Sequence, residues 1–171
     1  MAGRSASPTV GVIDSQSVKT TEAGGSRGFD AGKKIKGRKR HIVTDTLGSL
    51  VGLVIHPADV QDRDGAPDVL KSIRKKYPSL RHVFAGGGYA RPKLQERLEK
   101  ISKWTIQIVK LSDKSKGFEL LPRRWLVERT FAWLVRCRRL ARDFEATIAS
   151  ATTWVLLANI RMLTRKIVRQ R

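Results

Sequence analysis

The sequence predicts an α/β fold, a mixed β-sheet flanked by helices, with a helical C-terminus. Two observations carry this. Short apolar or alternating runs recur at 9–18, 34–59, 82–85 and 104–111, and stretches with helical spacing separate the later ones. After Leu121 the spacing becomes helical to the end.

Taken in order, TVGVIDSQSV (9–18) reads as a strand in which Val10, Val12 and Ile13 lead into Asp14. The Gly-rich segment 21–34 reads as a loop. Residues 34–59 form a predicted antiparallel hairpin, with Ile42 and Val43 on one strand, Leu50 to Ile55 on the other, and a turn at Leu47-Gly48-Ser49. Its alternation of apolar and basic residues would put the cations on one face. Ala66, Val69, Leu70 and Ile73 mark a helix over 65–77. A strand follows at 82–85, then a helix over 91–102 opened by Pro92, then the alternating strand 104–111. Phe144, Ile148, Ala151, Val155, Ala158 and Met162 form the stripe of a long packed helix. In open sheets of this kind ligands sit beyond the carboxyl ends of strands, where Asp14 and Gly86 both fall.

The 171 residues fit one domain, 1–171, and 40% apolar content is adequate for a core. No apolar run approaches the roughly 20 residues that span a bilayer, and MAGRSASPTV lacks the apolar core of a secretory signal. The single cysteine, Cys137, excludes an internal disulfide, fits a reducing cytoplasm, and reads as a small buried apolar group. Charge is the decisive quantity: 35 Lys+Arg against 15 Asp+Glu give a formal +20. A field of that sign attracts polyanions, and nucleic acid is the first partner to consider. A membrane surface is the weaker alternative, because no strongly basic amphipathic helix with exposed Trp or Phe is evident.

Two acids stand in apolar surroundings. Asp14 follows Val-Gly-Val-Ile, where a carboxylate is costly unless paired or bound to a cation; a turn-capping role is the competing reading. Glu128 lies in a helical pattern between Trp125 and Phe131, with Arg124 one turn earlier. It is either half of a surface ion pair or a metal ligand beside a phosphate backbone. The cations Lys33, Lys34, Lys36, Arg38, Lys39 and Arg40, with Arg123, Arg129, Arg138 and Arg139 further on, are candidate contacts to phosphate oxygens. His41, His56 and His82 show no ligand spacing and read as structural. The triple glycine in VFAGGGYA (83–90) lacks the Lys-Ser/Thr ending of a phosphate-binding P-loop.

Four blocks, VIDSQSVKT, RGFDAGKKIKGRKRHIVTDTLG, HPADVQDRDGA and RRWLVERTFAWLVRCRRLARDFE, resemble bacterial insertion-sequence transposases of the IS-five type, which have a DDE catalytic core. The resemblance runs from about Pro8 to Ile167. It implies a ribonuclease-H-like fold whose three carboxylates hold two divalent ions, Mg²⁺ or Mn²⁺, for in-line phosphoryl transfer on double-stranded DNA. Asp14 matches the first acid and Glu128 the third. Arg124 matches the family's arginine four residues before the Glu, and Arg136 is the nearest match to its later basic residue. The second acid belongs in a block that reads FADGGYA in the family; here Gly86 stands in its place. The aspartates 59, 62 and 64 lie in a separate block and are not expected to replace it. The resemblance therefore implies weakened metal binding and little strand cleavage. The family usually carries an amino-terminal helical DNA-binding region ahead of the VIDSQ strand, and this chain is expected to lack it. Two functions follow: a DNA transposase that is catalytically impaired, or a non-catalytic DNA-binding remnant that competes with an intact transposase or dimerises with it, as it could with itself. The implied location is the bacterial cytoplasm, at the nucleoid. An unrelated RNA-binding protein would explain the charge but not the four blocks.

Overall fold

In the computed structural model, residues 7–22, 25–90, 92–101, 104–109 and 124–169 are described. Strands β1 (Val10–Lys19), β2 (Gly28–Asp30), β3 (Ile35–Asp45), β4 (Leu50–Pro57), β5 (His82–Gly86) and β6 (Thr105–Val109) form one mixed sheet. Its path is β2-β3-β1-β5-β6, and β4 also pairs with β3. β3 is antiparallel to β1, β2 and β4, whereas β1, β5 and β6 run parallel. The helices are α1 (Asp62–Ile73), α2 (Pro92–Ile101), α3 (Arg124–Val135), the short α4 (Arg138–Ala141) and α5 (Ile148–Arg169).

Side-chain alternation along the strands divides the core into two layers. Ile13 and Val43 face α1 and α2, where they pack with Val69, Leu70, Ile73, Leu94 and Leu98. Their neighbours Val12 and Ile42 face the other way, against Val127, Phe131 and Leu134 of α3 and Val155 of α5. Fully burying each such side chain contributes about 1.5–3 kcal/mol, so both layers are substantial. Cys137 is half-buried at the edge of the second layer, less enclosed than expected.

Several boundaries differ from expectation, each for a local reason. β1 runs close to the expected 9–18, but Asp14 lies within it rather than at its end, because β3 keeps pairing with β1 through Lys19 after its parallel partner β5 has ended. The Gly-rich segment contributes β2, which pairs with the first residues of β3. α1 starts at Asp62, where Asp62 and Asp64 in its first turn suit the positive end of the helix dipole. The C-terminal helical pattern is broken between α4 and α5, so the long stripe begins at Ile148 and leaves Phe144 exposed.

The cause of that break is Arg38, a residue expected on the surface. Its side chain is fully buried and forms an ion pair with Asp143 at 3.1 Å. It also donates to the carbonyls of Ser26 (2.8 Å), Glu145 (2.9 Å) and Ala146 (3.0 Å). One guanidinium thus satisfies the Glu145 and Ala146 carbonyls, which a continuous helix would have paired internally. Arg40 is buried on the same face and donates to the Leu140 carbonyl at 2.9 Å. Burial lowers its pKa to about 10 against the opposing pull of Asp143. Lys39, between them, points to the opposite face, where its ammonium meets Asp30 (3.1 Å) and Asp62 (3.2 Å). The cations of the hairpin therefore do not share one face. Arg38, Lys39 and Arg40 are internal, which corrects their assignment as phosphate contacts.

Candidate active site

β1 and β5 run side by side, with Ile13 paired to Ala85, so the next residues are Asp14 on one strand and Gly86 on the other. Both continue the parity of Val12 and Phe84, which face α3. Asp14 is largely buried, and its carboxylate accepts the Ser15 amide at 2.8 Å. Burial raises its pKa; the Ser15 amide and the charge of Arg124 only partly oppose this.

α3 brings the third member. Its buried stripe of Leu126, Val127, Thr130, Phe131 and Leu134 anchors it to the sheet, and the Thr130 hydroxyl donates to the Gly48 carbonyl at 2.8 Å. Glu128 is therefore left on the rim, with its side chain 54% exposed and paired to Arg124 at 3.2 Å. A Cβ built on Gly86 would stand 3.4 Å from the guanidinium carbon of Arg124, an ordinary contact. Asp14, Gly86 and Glu128 thus share one neighbour, the Arg124 cation.

A second polar set lies on the opposite face of β1. Ser15 donates to Asp62 at 2.6 Å and Ser17 to Asp30 at 2.6 Å, with Lys39 bridging the two acids. Burial pushes Asp30 up, but the Ser17 hydroxyl, the Lys33 amide and Lys39 outweigh it and hold the carboxyl at about 2. Asp62 is thereby committed to Ser15 and Lys39 on the α1 side of the sheet. Asp64 pairs with Arg97 at 3.6 Å. The sequence reading missed this ladder; alternation of Ser15 and Ser17 against Asp14 in a single strand was the available signal.

A family model described as "Transposase DDE domain" matches residues 5–163. The chain belongs to the DDE transposase family. It is 30% identical over 116 residues to a putative transposase for insertion sequence element IS402 from Burkholderia cepacia, covering 64% of this chain and 54% of the relative. Among solved structures it resembles a chain of the simian T-cell lymphotropic virus intasome in complex with PP2A regulatory subunit B56 gamma. The TM-score is 0.55 at 14% identity, covering 91% of this chain and 49% of that one. That likeness shows the ribonuclease-H-like fold. The chain spans about half the length of the curated relative and of the matched structure.

The remaining candidate residues have mixed surroundings. Lys33, Lys34 and Lys36 are exposed, and Lys33 donates to the Ser15 carbonyl at 3.4 Å. Arg129 lies over the rings of Trp125 (4.4 Å) and Trp133 (4.7 Å) and reaches the Leu47 carbonyl. Arg139 pairs with Glu145 and lies over Trp154 at 4.4 Å. Arg136 and Arg138 are exposed, while Arg123 lies outside the described residues. His41 is buried against His56 in an edge-to-face contact with ring centroids 5.1 Å apart, in keeping with a structural role. No described helix is long and apolar enough to cross a membrane.

Proposed function

We propose that this chain is the catalytic-domain portion of an IS-five-type insertion-sequence transposase that holds double-stranded DNA but has lost most of its strand-cleaving chemistry. One observation carries this reading: the position beside Asp14 that should supply a second carboxylate is Gly86, and the nearest charged group there is the Arg124 guanidinium. In the family, three carboxylates would hold two Mg²⁺ or Mn²⁺ ions, which activate the attacking oxygen and stabilise the leaving one. The donor set here does not fit that pair of ions. Asp14 and Glu128 are the carboxylates that neighbour Arg124 among the described residues, Glu128 is already paired with it, and no group of three His, Cys, Asp or Glu suited to a metal occurs among those residues. A guanidinium between two carboxylates offsets part of their charge, which lowers the attraction for a divalent ion.

The test is Mg²⁺- or Mn²⁺-dependent nicking of a duplex carrying the element's ends. The chain as written should nick at background level, and Gly86→Asp should gain Mn²⁺ binding by calorimetry together with measurable nicking. Robust cleavage by the unaltered chain would refute the impaired-site reading. Unchanged metal binding in Gly86→Asp would refute the assignment of Asp14, Gly86 and Glu128 to one site.

A further inference from the structure

An open cleft of about 810 Å³ lies at the far end of β1, away from Asp14. Five cations line it: Lys19, Arg27, Lys34, Lys36 and Arg142, with Glu22 the one acid. None of the five has a carboxylate partner among the described residues, unlike the buried Arg38 and Lys39. Within this basic wall stands Phe29, with 55% of its surface exposed. Phe29 is the register partner of Lys36 across the β2–β3 pair, which puts the ring and the ammonium on the same face.

The local backbone supports this arrangement. Lys34 has φ of 54°, a left-handed conformation that costs a non-glycine residue free energy. It closes the turn between β2 and β3, so that Lys33 reaches back to the Ser15 carbonyl while Lys34 lines the cleft. Gly37, next along β3, has the Val18 carbonyl where a Cβ would stand, so a side chain there would prise β3 away from β1. The cleft is therefore built on the sheet itself.

We infer that this cleft binds an unpaired segment of a DNA strand, with Phe29 stacking on an exposed base and the five cations holding the flanking phosphates. The inference rests on the DNA-binding reading given above and names a second contact surface for it. Duplex DNA keeps its bases stacked inside, so it offers this ring no partner; a single strand offers a π-face at every base. Unpaired cations around an exposed aromatic ring are the combination that such strands bind through phosphate attraction and stacking. Along β1 the cleft begins five residues from Asp14, about 17 Å at ~3.3 Å per residue. That span matches about five base-pair rises of duplex, so one DNA molecule can reach both places.

The experiment is fluorescence anisotropy of the full chain with a labelled 20-nucleotide single strand and with a blunt-ended duplex of that strand and its complement. Phe29→Ala should weaken single-strand binding about tenfold or more and change duplex binding by less than about twofold, while Phe29→Trp should retain single-strand affinity. Lys34→Gln with Lys36→Gln should reduce the single-strand salt slope by about 1.4, from ~0.7 per phosphate contact. Circular dichroism melting of each variant checks that the exposed positions leave the fold intact. Equal loss for single strand and duplex, or no loss in Phe29→Ala, overturns the inference and leaves duplex binding standing. Tighter binding of an RNA strand of the same sequence also overturns it. Failure of the unaltered chain to bind any DNA would refute the broader function as well.

Discussion

Replacing Arg38 with Met separates a structural cation from a DNA-binding one. In the folded chain the Arg38 guanidinium is fully buried, paired with an Asp143 side chain that is 1% exposed, and bonded to three further backbone carbonyls within 3.0 Å. Met fills much of the volume but donates nothing. Asp143 then keeps the Glu145 amide, at 3.0 Å, to offset its buried charge. Removing one partner of a buried pair costs about 3–5 kcal/mol, a large part of the 5–15 kcal/mol that holds a typical domain together. At roughly 2–4 °C per kcal/mol for a chain of this size, the melting temperature should fall by about 6–20 °C. Thermal circular dichroism measures this directly. The double variant Arg38→Met, Asp143→Leu should recover part of the loss, since it also removes the stranded carboxylate. Duplex affinity, measured well below both melting temperatures, should change less than about twofold. A melting temperature within 2 °C of the parent, together with a tenfold loss of DNA affinity, would show that Arg38 faces phosphate and that the clamp described here is wrong.

Further outcomes follow from the same geometry. Asp14→Asn should raise the melting temperature at neutral pH, by up to a few degrees, because burial makes the charged carboxylate costly; a lower melting temperature would mean that the charge has a stabilising partner. Burial, and then the neighbouring His56, lower the His41 pKa to about 3, so the unfolded chain takes up a proton near 6.5 while the folded chain does not. Stability should therefore decline as pH falls from about 6.5 towards 3, and urea titrations of His41→Leu should show a flatter decline in that window; an identical slope would exclude His41 as its source. Asp30 acts lower down: its folded value of about 2 lies below the unfolded value, so its contribution is present above about pH 4 and is lost between about 4 and 2. Asp30→Asn should remove that lower step and leave the higher one, and an unaltered acid transition would contradict the ladder through Ser17 and Lys39.

The sheet and its order of elements were legible because hydrophobic alternation and helical spacing are local signals. The proposal that Asp14, Gly86 and Glu128 form one site came from the resemblance, which pairs distant blocks as spacing cannot. Illegible was the direction of each cation. Lys36, Arg38, Lys39 and Arg40 sit in one basic run, and nothing in the run distinguishes Lys36 in the cleft from Arg38 in the core. The difference is made by partners far away in sequence: Asp143 is 105 residues from Arg38, and Asp62 is 47 residues from Ser15. The helix break after α4 was hidden for the same reason, since the donor that satisfies its carbonyls belongs to β3.

Burial of these cations does not reduce the field that reaches DNA. Arg38 is neutralised by Asp143, and Lys39 stands between Asp30 and Asp62, while Arg40 also lies within the field of Asp143. Three internal cations and three acids cancel, so the formal +20 of the chain is carried almost wholly by the remaining surface. Three of the 15 acids, Asp30, Asp62 and Asp143, accompany the buried arginines and lysine. Each acid that holds β3 in the core is matched by an internal cation, so the clamping leaves the positive excess outside unchanged. A chain with this division should bind duplex DNA with a steep, nearly linear fall of log affinity against log salt and little sequence preference. In this chain Gly86 withholds one further carboxylate from the α3 face of the sheet, which leaves Arg124 and the surrounding positive field with less to oppose them.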